Sequence, residues 1–391
     1  MDELGRREAC RLGAAGALAV AGVGSGTGSV VGSTGASTGG QVVFVYDDSR
    51  REDWTDTFPI HQEEGVPACC SAVVDYIDTS WGLLPEHLRE MEAEGWEIMS
   101  HTAGHVAVGN LYLTEPAESD DERLYLDGSF LGHHEGEEIV ISDGDRTVEN
   151  AIAGGDRDET GIYLDLAEPV GDAFDAGTAF ARFSDDRVRE EVVGSKDALE
   201  DMGVTVDSFV SPFGRGEGFA DELIRDHYAA FANHSGNGLN PLEGLDPHEL
   251  GRSSIDGQSV NRGEIERFYD DVAAGDHLGI VVGHSQFDET TPERVRFAIQ
   301  EAKARDLEIV TLREALADES GENGAGDERD GGTGTESDSD DAESPATDGS
   351  LGSTVRENRT PILAGSGILA AAGVTAGAVY RRRQQSDDDR L

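Results

Sequence analysis

The chain has 391 residues of which 37% are hydrophobic, enough to bury a large core, and that length points to two or three domains. Acidic residues outnumber basic ones 80 to 30, a formal charge of −50 that argues against nucleic acid as a partner. The acidity is spread over almost every segment, which is the surface chemistry of a protein adapted to high salt, so a halophilic host is expected.

In chain order, residues 1–40 read as an export signal and flexible leader. Arg6-Arg7 precede a weakly apolar run, Leu12 to Val23, in the manner of a twin-arginine signal, and a Gly/Ser/Thr tract follows. Val42 to Ser49 then reads V-V-F-V-Y-D-D-S, a β-branched and aromatic run that predicts a buried strand ending in the adjacent carboxylates Asp47 and Asp48. In isolation such a pair reads as a solvated turn; held together in a site, two like charges need a cation or a shared proton. A polar loop over Ser49–Phe58 and a short helix over Pro59–Glu64 are expected next. Val66 to Val74 is a β-leaning run in which Cys69 and Cys70 read as small buried residues; with Cys10 in the leader, this is not a disulfide scaffold. A helix is expected over Leu83–Glu94 and a strand over Trp96–Met99. That strand delivers His101-Thr102-Ala103-Gly104-His105, whose two imidazoles converge on one point if the segment is helical or tightly turned.

Residues 109–184 change texture. Short alternating runs such as Glu138-Ile139-Val140-Ile141, separated by Gly/Asp turns, predict a small antiparallel β module in which His133 and His134 read as surface residues. Helical periodicity resumes over Asp185–Met202, and a strand over Val204–Val210 ends in Ser211-Pro212-Phe213-Gly214. A helix over Phe219–Tyr228 leads to the apolar Ala229–Ala232. A Gly/Asn/Pro-rich loop then spans Asn233–Arg262, with His234 and His248 unassigned. A helix over Ile265–Ala274, a strand over Leu278–Val282 ending at Gly283-His284-Ser285, an amphipathic helix over Pro292–Arg305, a short strand over Glu308–Thr311 and a helical turn over Arg313–Ala317 complete the body.

Residues 318–360 hold Gly, Asp, Glu, Ser and Thr with almost nothing to bury, and read as a disordered acidic stalk. Within 361–391, the uncharged run Ile362–Tyr380 just spans a bilayer's hydrocarbon layer and is followed by Arg381-Arg382-Arg383. The expectation is an exported protein anchored to the cell membrane by this C-terminal transmembrane helix, with the body of the chain outside.

Alternating strands and helices imply a parallel sheet with helical crossovers, and in a closed parallel barrel the catalytic residues gather at the C-terminal rim. Asp47-Asp48, His101/His105, Ser211–Gly214 and His284 all follow strand candidates directly. A carboxylate with two imidazoles makes a site for zinc or a similar divalent ion that leaves positions open for water and substrate. The second carboxylate suits a proton acceptor, and a separate His suits a proton donor to the leaving group.

These motifs, in this order, resemble the polysaccharide deacetylase family, the NodB-homology domain of carbohydrate esterase family 4. Val45-Tyr46-Asp47-Asp48-Ser49 is similar to its T-F-D-D-G motif, His101 to His105 to H-[ST]-x-x-H, Val210 to Gly214 to R-x-P-[YF]-G, and Ile280 to His284 to the late strand-plus-His motif. The resemblance implies a distorted (β/α) barrel over 41–108 and 185–317, with 109–184 inserted. It implies Asp47 as general base and His284 as general acid. It implies Asp48, His101 and His105 as ligands of a divalent ion, Zn first and Mn or Co next, and Phe213, after Pro212, as an oxyanion donor through its backbone N–H. The implied reaction is hydrolysis of acetamido groups on an N-acetylated surface or extracellular glycan. Three departures stand beside it. No arginine precedes Ser211 in the third motif, Ser49 replaces Gly, and no aromatic-plus-Asp groove motif is recognisable between Phe213 and His284. They keep open a second reading, a catalytically impaired, membrane-tethered glycan-binding protein on the same fold.

Overall fold

The computed structural model describes residues 40–322 apart from 234–236 and 276. The leader expected over 1–40 lies outside them except for Gly40. Of the expected stalk and anchor, only the end of the last helix, to Glu322, lies within them. Among the described residues no helix is long and apolar enough to cross a membrane.

The elements run β1 (Gln41–Asp47), α1 (Phe58–Glu64), β2 (Cys69–Ala72), α2 (Pro85–Ala93) and β3 (Glu97–Ser100). Then come β4 (Leu111–Tyr112), β5 (Arg123–Leu126), β6 (Glu138–Ser142), β7 (Thr147–Arg157), β8 (Ile162–Leu166) and β9 (Phe180–Phe183). The chain continues through α3 (Asp185–Arg189), α4 (Ser195–Asp201), β10 (Ser208–Val210), α5 (Phe219–His227), β11 (Ala230–Ala232), β12 (Leu239–Pro241) and β13 (Ser253–Ser254). It closes with α6 (Arg262–Ala274), β14 (His277–Gly283), α7 (Pro292–Lys303), β15 (Glu308–Ile309) and α8 (Leu312–Glu322).

Two sheets result. The first has nine strands in the order β11-β10-β3-β2-β1-β14-β12, with β13 beside β14 and β15 beside β1. Its pairs are parallel except β12 with β14, and its curl with helical crossovers makes it the expected distorted (β/α) barrel. Strand β1 lies at its centre and its seven residues are all buried. Alternation on β1 sorts its side chains into two cores. Val42, Phe44 and Tyr46 face the helices, with Ile60, Leu88, Met91 and Ile299. Val43 and Val45 face the interior, with Cys69, Met99, Val210 and Ile280, over a floor of Val310, Leu312 and Ala315. By the same alternation Asp47, two residues beyond Val45, opens into the barrel mouth. Cys69 and Cys70 are free and buried, one in each core.

The second sheet takes β4 to β9 in the order β4-β9-β6-β7-β8-β5, antiparallel throughout. Its inward residues, among them Leu111, Ile139, Ile141 and Phe183, continue the core on the helix side of the barrel.

One expectation fails locally. The loop expected over Ser49–Phe58 is helical from Asp53, as a π-helical stretch to Thr57 that runs into α1. Trp54 stacks on Phe58 and on His87 there, so tertiary packing recruits a polar segment that propensity alone leaves open. The His101–His105 segment takes the second of its two expected forms, a tight turn: Thr102 (φ 65°) and His105 (φ 57°) are left-handed, and the turn itself brings the rings together.

Candidate metal centre and active site

Strand ends deliver most of the site. Asp47 closes β1, His101 follows β3, Phe213 follows β10 and His284 follows β14. The turns they enter are strained: Asp48 (φ 79°), Ser49 (φ 46°), Thr102, His105 and Phe213 (φ 60°) all lie in the left-handed region that bulky residues avoid. Ser49 shows how such a turn is held. It stands where the family motif has Gly, and its hydroxyl accepts the Val73 N–H at 3.1 Å while its carbonyl accepts the Leu83 N–H at 3.0 Å.

Asp48, His101 and His105 each offer a ligand atom within 4.8 Å of the others. Asp48 Oδ1 lies 3.0 Å from His105 Nε2 and 3.6 Å from His101 Nε2. That oxygen is buried and has no hydrogen-bond partner, which a cation would supply. His101 Nδ1 sits 2.8 Å from the Val210 carbonyl, so it carries the proton and leaves the Nε2 lone pair aimed at the centre. Gln286 donates from Nε2 to the other Asp48 oxygen at 2.5 Å, fixing the carboxylate while leaving Oδ1 open. Burial works to raise the Asp48 pKa, but positive charge at this point, that of the imidazoles when protonated, outweighs it and holds the carboxyl well below the usual range. The residues therefore fit a divalent cation of the zinc, manganese or cobalt kind.

Asp47 stands beside this set. Arg252 grips it through both oxygens, Nη1 to Oδ1 at 2.8 Å and Nη2 to Oδ2 at 2.9 Å, with both side chains 4% exposed. Ser71 also donates to Oδ1. Oδ2, which Arg252 alone bonds, is thus the less encumbered oxygen, 3.9 Å from the Nε2 of both His101 and His284. Burial raises the Asp47 pKa, and the charge and hydrogen bonds of Arg252 override it, holding the carboxylate ionised far below its ordinary value.

On the far side of Asp47, His284 Nδ1 meets Asp256 Oδ2 at 2.7 Å. Asp256 is fixed in turn, its Oδ1 accepting the His284 N–H at 2.8 Å and the Thr290 hydroxyl at 2.7 Å. Burial lowers the His284 pKa, but the charge and hydrogen bond of Asp256, with Asp48 and Asp47 beyond, push it up to about 10. The imidazole is therefore a charged donor whose Nε2–H faces Asp47.

The structure brings Asp47, Asp48, His101, His105 and His284 to one place and sets the Phe213 ring 5.0 Å from that of His105, with Pro212 buried behind it. The arginine absent from the third motif is met from elsewhere by Arg252, while Arg215 pairs with Asp127 and Glu217 away from Asp47. A further acid of the site, Asp256, is the partner of His284. Arg252 and Asp256 lie in the stretch read as an unassigned loop, flanking the two-residue strand β13, and a cation and an acid either side of so short a strand were their only signal. His248 donates from Nε2 to the Tyr228 carbonyl, 2.9 Å away, and is structural. His133 is exposed and His134 packs edge-on against Phe183. His234 lies outside the described residues.

Residues 34–123 match the family model described as polysaccharide deacetylase. No curated protein matches the chain by sequence. Among solved structures, it is similar to the carbohydrate esterase family 4 domain of a multidomain xylanase from the hindgut metagenome of Trinervitermes trinervoides, at 14% identity over 72% of this chain and 92% of that one, TM-score 0.41. A chitin deacetylase from the fungal pathogen Colletotrichum lindemuthianum matches at 14% identity over 71% and 87%, TM-score 0.40. A family 4 pseudoenzyme from Bacillus anthracis matches at 10% identity over 72% and 66%, TM-score 0.40. The chain is polysaccharide deacetylase-like, as the motifs from Asp47 to His284 imply.

Proposed function

We propose that the protein is a metal-dependent hydrolase that removes N-acetyl or related acyl groups from a polysaccharide. The single observation that carries this reading is the placement of Asp47 Oδ2, held by Arg252 alone and 3.9 Å from both His101 Nε2 on the ligand side and His284 Nε2 on the donor side.

Asp48, His101 and His105 would hold the divalent ion. When bound there, it supplies Lewis acidity toward an acyl oxygen and acidifies water. The chain's own residues divide the proton work. Asp47 Oδ2 receives a proton from the attacking water, and Arg252 with Ser71 keeps the carboxylate turned to offer that oxygen. His284, charged through Asp256, donates from Nε2 to the departing nitrogen. A gap of 3.9 Å is too long for a direct hydrogen bond between Asp47 and His284, and an atom lying to one side of the pair can come within hydrogen-bond reach of both. Acid and base are thus set by environment, Asp47 by a bidentate cation and His284 by a buried anion.

Export, a membrane anchor and a surface or extracellular glycan as substrate belong to the same reading, supported by the Arg6-Arg7 leader and the run Ile362–Tyr380 before three arginines. The test is acetate release from N-acetylated oligosaccharides in high salt, with Zn²⁺, Mn²⁺ or Co²⁺ supplied. Release that Asp47→Asn abolishes is expected. Glycan binding that survives Asp47→Asn, with no acetate from either protein, would favour the impaired glycan-binding reading instead.

A further inference from the structure

One unbroken row of rings crosses the barrel mouth. Trp81 packs edge-on against Tyr76 at 4.6 Å, and Tyr76 lies 5.8 Å from His105. His105 lies 5.0 Å from Phe213, and Phe213 stacks on Phe130 at 4.4 Å with the planes 18° apart. The row begins on the barrel and ends on the second sheet, since Phe130 belongs to the connection from β5 to β6. It passes through the ligand set at His105.

Two features mark the row as more than packing. Phe213 is the one large hydrophobic side chain that stays exposed among the described residues, at 48%. It is also held at φ 60°, in the left-handed region that a bulky residue adopts only under strain. Strain spent on exposing a ring makes no sense for a core and is what a binding surface needs. Phe130 is equally placed by construction: a Cβ at Gly128 would sit 2.9 Å from its ring, and Arg215 ties the neighbouring Asp127 to the barrel at 3.1 Å. At the other end the Arg50 guanidinium lies 4.1 Å over Trp81, fixing that ring from behind.

We propose that this row is a binding track for an extended glycan, with Phe130 of the second sheet and Trp81 of the barrel as distal subsites on opposite sides of His105. Pyranose rings present apolar C–H faces that suit aromatic surfaces, and the rings here follow one another without a gap. The second sheet then completes the active site, and the substrate is an oligomer rather than a single sugar. This deepens the deacetylase reading and rests on it for the identity of the ligand as a glycan.

The test uses the full chain with N-acetylglucosamine and its oligomers up to the hexamer. Affinity is measured by calorimetry on metal-free protein, where hydrolysis does not intervene, and kcat/KM after the metal is restored. The readout is the ratio of hexamer to monomer affinity in wild type, Phe130→Leu, Phe130→Tyr and Trp81→Leu. Leu keeps apolar volume against Phe213 and removes the ring; Tyr keeps the ring. The ratio should fall about five- to tenfold in each Leu variant and be retained in Phe130→Tyr. Equal ratios in wild type and both Leu variants would overturn the track, as would wild type that binds no oligomer better than the monomer. Acetate release with equal ratios leaves the deacetylase reading standing while the track falls; a ratio lost in the Leu variants without any acetate release does the reverse.

Discussion

Arg252 reaches Asp47 across 205 positions of sequence and holds both of its carboxylate oxygens, at 2.8 and 2.9 Å. Both side chains are buried, so the pair is a charge-assisted clamp in low dielectric, where removing one partner strands the other. Arg252→Ala should therefore cost about 3–5 kcal/mol of stability. Arg252→Lys, which cannot donate in a planar fork, should fold better and yet lose about a hundredfold or more in kcat/KM. Chemical denaturation and kinetics on both variants check this; a Lys variant with wild-type kinetics would show that bidentate geometry is irrelevant.

Asp256 determines what His284 can do. Asp256→Asn keeps the size and most hydrogen-bonding capacity but removes the charge, so the His284 pKa should fall from about 10 toward the ordinary 6.5. Histidine C–H shifts followed by NMR across pH in metal-free protein read this directly. In kcat/KM a loss of about ten- to a thousandfold is expected, because a weaker positive partner donates less completely at neutral pH.

A chain of charges joins the second sheet to the ligand loop. Glu137 pairs with Arg187 at 3.2 Å, Arg187 with the buried Glu191 at 2.7 Å, and Glu191 accepts the Gly104 N–H at 2.8 Å between the two ligand histidines. Arg187→Ala leaves Glu191 buried without its cation, and burial already works to raise the Glu191 pKa. Protonation then weakens its grip on Gly104. Metal affinity should drop about ten- to a hundredfold, the usual effect of losing support behind the ligands.

Asp53 predicts a pH dependence of stability. It is fully buried, its Oδ1 lacks a partner, and burial raises its pKa from 3.8 to about 7. The folded state therefore binds an extra proton between those values. Its stabilising share is full below pH 4 and is lost as pH rises through 7. Asp53→Asn should gain on wild type by about 3–4 kcal/mol between pH 4 and pH 8. Urea melts at both pH values check the sign, and a difference independent of pH would contradict it.

What the sequence made legible follows from strand ends. Asp47, Asp48, His101, His105 and His284 each follow an apolar run of period-two or fully buried type, and parallel strands carry such ends to one rim. Elements with strong periodicity, α2, α5, α6 and α7, fall close to their expected places. Arg252, Asp256 and Gln286 stayed hidden because irregular backbone carries no period. Their roles are created by contacts over long separations: Arg252 to Asp47, Asp256 to His284, Gln286 to Asp48. The π-helical stretch at Asp53–Thr57 was hidden for the related reason that stacking of Trp54 on Phe58 and His87 stabilises it.

The central claim is that Asp48, His101 and His105 bind a divalent cation on which hydrolysis depends. It is tested most directly by treating the full chain with chelator in high salt and titrating back Zn²⁺, Mn²⁺ or Co²⁺. Bound metal and acetate released from N-acetylated oligosaccharide are read in the same samples, for wild type and His105→Ala. Wild type should take up one cation per chain and regain acetate release in step with occupancy, while His105→Ala loses both. Acetate release that persists in metal-free protein, or unchanged cation binding in His105→Ala, would contradict it.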